Sequence, residues 1–154
     1  MTINEKTAEI LNDLIEINND RVRGYERASK ETEAKDADLR SIFDEMATES
    51  RRYANELGQY VSQSGEKPAE GTTVRGKIYR AWMDVKATFS GRDRKAILAS
   101  CEFGEDAAQR AYEAALNSDA EIAADVRQVI MEQKTNLKRG HDKIKAMRDA
   151  QTAR

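Results

Sequence analysis

Apolar side chains recur at intervals of three or four residues along most of the chain, which is the spacing of one face of an α-helix. The strict alternation of apolar and polar residues that predicts half-buried strands does not occur in the sequence. The pattern therefore predicts an all-α protein. Its four long helices are expected at about residues 4–33, 37–63, 93–117 and 119–150. In the first, the inward face is predicted to run through Leu11, Ile15, Asn18, Val22, Tyr25 and Ser29.

Two short loops and one long connection join these helices. Short loops make consecutive helices antiparallel, whereas the roughly 28 residues from Ser64 to Gly91 are enough to return along the whole bundle. Within this connection, residues 73–89 are predicted to form a shorter amphipathic helix with a basic outer face. We therefore expect a single domain over residues 1–154, a ferritin-like four-helix bundle with a long helical crossover. An up-and-down bundle with a locally folded connection is the alternative.

Composition narrows the classes of function. The chain has 154 residues, with 26 Lys and Arg against 28 Asp and Glu, and this near-neutral charge argues against a nucleic-acid binder. The single cysteine, Cys101, excludes an intrachain disulfide and a cysteine-built zinc site. The N-terminal residues lack the basic start and apolar run of a secretory signal, and no stretch approaches the roughly 18 apolar residues of a membrane span. We expect a cytoplasmic protein.

Several segments carry a distinctive pattern: residues 24–28, 76–82, 96–108 with Tyr112, and 139–142. Together they resemble an uncharacterised bacterial family of ferritin-like four-helix-bundle proteins, a domain of unknown function. The Glu-Phe-Gly-Glu-Asp run at residues 102–106 is the most specific part. The resemblance extends over nearly the whole chain. It implies the fold and is compatible with a stress-associated role, but it implies no established reaction.

One glutamate on each long helix borders the apolar face and is a candidate metal ligand: Glu26, Glu49, Glu105 and Glu132. At about 1.5 Å per residue their expected depths in the bundle differ by roughly 9 Å, so a single carboxylate layer is possible. Ferritin-like iron sites also use two Glu-x-x-His pairs. Here Arg52 and Thr135 stand where the histidines would be. Two interpretations of the glutamates are possible. They are ion-paired or solvated positions, with Arg52 as a neighbouring cation, or they form a site for Fe or Mn.

These patterns favour a non-enzymatic bundle protein that acts through oligomerisation, as a homo-oligomer, or through a protein partner. One alternative is a divergent carboxylate protein that binds Fe or Mn, including an oxidoreductase. A second is a membrane-surface binder that uses the basic helix at residues 73–89. Cys101 is predicted to be buried and inert, and His141 to cap its helix or pair with a neighbouring carboxylate.

Overall fold

The computed structural model describes residues 4–32, 36–70, 94–118 and 120–152. Its helices are α1 (Glu5–Glu31), α2 (Ala37–Gln63), α3 (Arg94–Leu116) and α4 (Ala124–Thr152). No strand occurs in this part of the chain, so the all-α prediction is confirmed. The predicted crossover helix at residues 73–89 lies outside the described residues. None of the helices that the structure describes combines the length and the apolar character needed to cross a bilayer.

The start of α1 contacts the residues just before the start of α4, so these two helices begin at the same end of the molecule. Asn4 caps α1, because its side-chain oxygen accepts a hydrogen bond of 2.7 Å from the Thr7 amide. The backbone carbonyl of Glu121 accepts hydrogen bonds of 3.4 Å from the Asn4 amide group and the Thr7 hydroxyl. Residues 121–123 are not helical, and α4 begins at Ala124, later than the predicted position 119.

Ion pairs between helix ends show how the helices are arranged. Arg94 at the start of α3 binds Asp36 and Asp38 at the start of α2, with nitrogen–oxygen distances of 2.9 and 3.1 Å. The two helices therefore begin at the same end of the bundle and run parallel. α2 ends at Gln63 at the opposite end of the bundle, and α3 begins at Arg94. This is the single-crossover arrangement that the loop lengths predict.

A layer of polar side chains divides the hydrophobic core in two. Above and below it, apolar residues of the helices pack into separate clusters. One cluster is built around Leu11, Leu14, Leu57, Tyr112 and Ile130. The other is built around Tyr25, Leu39, Phe43, Leu98 and Cys101, whose thiol is buried as predicted. The layer between them consists of the buried residues Asn18, Arg21, Ser50 and Glu105.

Candidate functional site

The centre of the polar layer is the guanidinium group of Arg21, a residue of α1 that is only 1% exposed. Its Nε and Nη2 atoms donate to Oε1 and Oε2 of Glu105 on α3, at 2.6 and 3.0 Å. Such two-point pairing is the strongest geometry between a guanidinium and a carboxylate. Because Glu105 is also 1% exposed, salt screens this pair much less than a surface pair.

The rest of the guanidinium is bound by α2. Nη1 donates to Oε1 of Glu49 at 3.0 Å, to the hydroxyl of Ser50 at 2.8 Å and to the carbonyl of Met46 at 3.2 Å. The ring of Tyr25 lies beside the cation, with its centre 5.1 Å from the guanidinium carbon. Each guanidinium nitrogen therefore has an acceptor, which is the condition for burying this charge.

Three ionisable groups in the layer or packed against it, Arg21, Tyr25 and Tyr112, are held in one protonation state at neutral pH. Burial by itself would lower the pKa of Arg21, but the negative charge of Glu105 outweighs it, and the pKa is raised. The pKa of Tyr25 lies well above its usual range because the phenol is buried and Glu105 is close. Burial also raises the pKa of Tyr112. Arg21 is therefore a permanent cation and both phenols are neutral, so none of the three is suited to general acid–base chemistry.

A chain of hydrogen bonds extends the layer to all the described helices. The hydroxyl of Ser50 donates to Asn18 at 3.0 Å, and the Asn18 amide donates to the Tyr112 hydroxyl at 2.8 Å. That hydroxyl donates to Gln133 on α4 at 2.6 Å, and Gln133 donates to Glu56 at 2.7 Å. Every donor in the chain meets an acceptor, so the layer fixes the relative register of the helices without an unsatisfied group along it.

The structure separates the four candidate glutamates. Glu49 and Glu105 meet at Arg21. Glu26 lies at the surface, where it pairs with Arg51. Glu132 is also exposed and accepts a hydrogen bond of 3.0 Å from Gln128 on its own helix.

The cation that meets these carboxylates is not the predicted one. Arg52 is exposed and lies over the ring of Tyr53, with its guanidinium carbon 5.8 Å from the ring centre. The cation beside the buried carboxylates is Arg21, in the position expected for Arg52. Arg21 is next to Val22, which is predicted to face inward and is only partly buried. The sequence does contain a signal for Arg21. On α1 the buried positions alternate by three and four residues: Leu11, Leu14, Asn18, Arg21, Tyr25 and Ala28.

Gly140 on α4 provides the space for the ion pair. A Cβ atom at this position would lie 2.9 Å from Oε2 of Glu105, 3.1 Å from Nη2 of Arg21 and 3.2 Å from the sulfur of Met46. Any larger residue would push against a carboxylate that is already held at two points. Glycine fits here for this reason, although it lowers the intrinsic stability of the helix by about 1 kcal/mol relative to alanine.

A second group of ionisable side chains lies closer to the surface, between α3 and α4. Glu102, Asp106 and His141 each offer a ligand atom, and these atoms lie within 4.8 Å of one another. His141 contacts Asp106 through Nε2 at 2.5 Å and Asp142 through Nδ1 at 3.1 Å, which agrees with the carboxylate pairing predicted for it. Burial by itself would lower the pKa of His141, but these hydrogen bonds outweigh it and raise the pKa.

Comparison with known proteins places the chain in a family and identifies its fold. The sequence pattern of a family described as a domain of unknown function, DUF2383, matches residues 6–118. No curated protein matches the chain. Among solved structures, a mutant of Dps1 from Mycobacterium smegmatis superposes with a TM-score of 0.80 and 14% sequence identity, covering 95% of this chain and 99% of that one. The ferritin-like bundle predicted from the sequence is thereby confirmed as the fold.

Ferritin-like bundles are associated with iron, and the residues of the buried layer do not fit a metal ion. Both oxygens of Glu105, the most deeply buried carboxylate of the layer, already accept hydrogen bonds from Arg21. An ion bound there would have to displace the guanidinium. The displaced Arg21 would then be a buried cation without its counter-ion, and leaving one charge of a buried pair uncompensated costs about 3–5 kcal/mol.

Proposed function

Since the chain belongs to the DUF2383 family, whose function is unknown, we propose that it is a non-enzymatic ferritin-like bundle protein that acts through oligomerisation or a protein partner. The observation that carries the proposal is the two-point pairing of Arg21 with Glu105. In this chain a side chain supplies the positive charge that the buried carboxylates need. The layer then serves as a structural core that holds the helices in register.

Two exposed apolar side chains are candidate points of contact for association. In the described part of the chain, the large apolar residues that are exposed are Phe103 on α3, at 40%, and Met131 on α4, at 48%. Fully burying one such side chain is worth about 1.5–3 kcal/mol, so covering part of each would contribute to a contact with a second copy or a partner.

An aerobic Fe²⁺ oxidation assay tests the non-enzymatic part of the proposal. We expect the full chain to oxidise Fe²⁺ no faster than buffer alone. Sustained oxidation that is lost in both Glu49→Ala and Glu105→Ala would overturn the proposal and establish the competing one, a divergent Fe or Mn protein. That alternative requires Arg21 to leave Glu105, and it uses Glu26 and Glu132 from positions at the surface.

The mass in solution tests oligomerisation. Light scattering behind a sizing column is expected to give a mass above the 17.4 kDa of one chain. Met131→Glu should shift the mass towards the monomer, whereas Thr48→Glu, a matched change at an exposed position on α2, should not. A wild-type chain that is monomeric at every concentration would exclude the homo-oligomer.

A further inference from the structure

We propose that Glu102, Asp106 and His141 form a binding site for one divalent cation of the Zn²⁺ type, which links α3 to α4. The inference does not rest on the proposed function. Glu102 and Asp106 are four residues apart on α3 and therefore project from the same face of the helix. His141 approaches them from α4, and the three ligand atoms lie within 4.8 Å of one another. Binding requires side-chain rotations that bring these atoms to the roughly 2.0–2.2 Å from the ion that zinc needs from nitrogen and oxygen ligands.

The imidazole of His141 is oriented as a metal-binding histidine is. Its Nδ1 atom lies 3.1 Å from a carboxylate oxygen of Asp142, which can only accept a hydrogen bond in its ionised form. Nε2 lies 2.5 Å from a carboxylate oxygen of Asp106, so a cation bound there would replace the proton on Nε2 while Nδ1 keeps its hydrogen bond to Asp142. This carboxylate–histidine arrangement is the usual outer support of a histidine ligand, and it sets both the tautomer and the ring orientation.

Glu102 provides an oxygen that lacks a hydrogen bond. Its Oε2 atom is shielded from solvent and accepts no hydrogen bond of good geometry, although Arg148 approaches it to 2.7 Å. Arg148 also pairs with Asp149 at 3.2 Å, and its side chain is 33% exposed. The guanidinium can therefore turn towards solvent and Asp149, which releases Glu102 to a cation. Arg148 is then a competitor of the ion, unlike the fully buried Arg21.

The donor set selects the class of cation. Two carboxylates and one imidazole suit zinc and other late first-row divalent ions, whereas Mg²⁺ and Ca²⁺ prefer oxygen ligands alone. Three protein ligands leave a fourth position for water. Because the ligands belong to two helices, the ion would act as a clamp across the α3–α4 pair.

Zinc titration of the untagged, metal-free full chain tests the site, with a chromophoric chelator as competitor. We expect one equivalent of Zn²⁺ to bind. Asp142→Asn should weaken binding by about 10-fold, since loss of a supporting group outside the ligand shell typically costs about 10–100-fold in metal affinity. His141→Gln and Asp106→Asn, which remove ligands, should each weaken binding more than Asp142→Asn does. Arg148→Gln should tighten binding several-fold because it removes the competing cation. Glu132→Gln, a change at an exposed glutamate away from the cluster, should leave the affinity unchanged.

The imidazole gives a direct second readout, since His141 is the only histidine of the chain. Its ring resonances should shift with the same one-equivalent end point as the chelator titration. Zinc that binds with unchanged affinity in His141→Gln would overturn the proposal, as would a wild-type chain that binds none. Weaker binding in Arg148→Gln would contradict the role of Arg148. Circular dichroism of the metal-free variants separates lost ligands from lost folding.

Discussion

Removing Arg21 is the sharpest perturbation of the structure. Arg21→Met keeps most of the apolar stem and removes the charge, so Glu105 remains buried at 1% exposure without its counter-ion. Breaking a buried pair from one side costs about 3–5 kcal/mol. A domain of this size has a total stability of only about 5–15 kcal/mol. At roughly 2–4 °C per kcal/mol, we expect the melting temperature to fall by about 10 °C.

A double-mutant cycle separates the ion pair from packing. Arg21→Met combined with Glu105→Met removes both charges and replaces them with apolar side chains, an exchange that is often neutral or stabilising at buried pairs. The double variant should therefore recover at least half of the stability that Arg21→Met loses. Urea unfolding followed by circular dichroism gives the free energies of the wild type, both single variants and the double variant.

Arg51→Met is the matched control, because Arg51 also pairs with a glutamate, Glu26, but at the surface. Exposed pairs contribute about 0–1 kcal/mol, and the control should stay in that range. The reasoning fails if Arg21→Met loses less than about 1 kcal/mol, or if the two single losses simply add in the double variant.

Three further outcomes follow from the same geometry. Gly140→Ala should lower stability by about 1–3 kcal/mol through overpacking, whereas Gly58→Ala, whose added Cβ would meet only Pro68 at 3.6 Å, should be neutral or stabilising in the same thermal melts. Tyr112→Phe leaves the Gln133 oxygen without a partner and the Asn18 amide with only the Leu14 carbonyl, and should cost about 1–3 kcal/mol in urea unfolding. The hydrogen bond from Arg94 lowers the pKa of Asp38. The stabilisation that this ion pair gives to the folded state is therefore present above about pH 4 and is lost as the pH falls through the lowered pKa. Arg94→Gln should therefore lower the melting temperature at neutral pH and have little effect in acid, and a deficit that persists in acid would contradict this assignment.

The sequence predicts the helices because burial of an apolar face is periodic, and that periodicity is visible residue by residue. It does not predict which charged residue enters the core. Arg21 and Val22 are neighbours that differ by about 100° around the helix axis, and a charged side chain normally indicates the solvent side. Arg21 is buried only because Glu105 comes from a helix far along the chain to meet it.

The same limit applies to the candidate metal ligands. Depth along the bundle can be counted from the helix starts, but the direction of each side chain around its axis cannot be fixed to better than one residue. Glu132 is exposed, while its neighbour Gln133 is 1% exposed and belongs to the hydrogen-bond chain. The alternating spacing of Val126, Ile130, Gln133 and Leu137 is the local pattern that distinguishes the two.

The central claim is that a guanidinium, not a metal ion, neutralises the buried carboxylates. Anomalous diffraction at the iron absorption edge, from crystals of the full chain equilibrated with Fe²⁺ under anaerobic conditions, tests it most directly. We expect Arg21 on both oxygens of Glu105 and no anomalous peak between Glu49 and Glu105. A peak at that position, with the Arg21 side chain displaced, would contradict it.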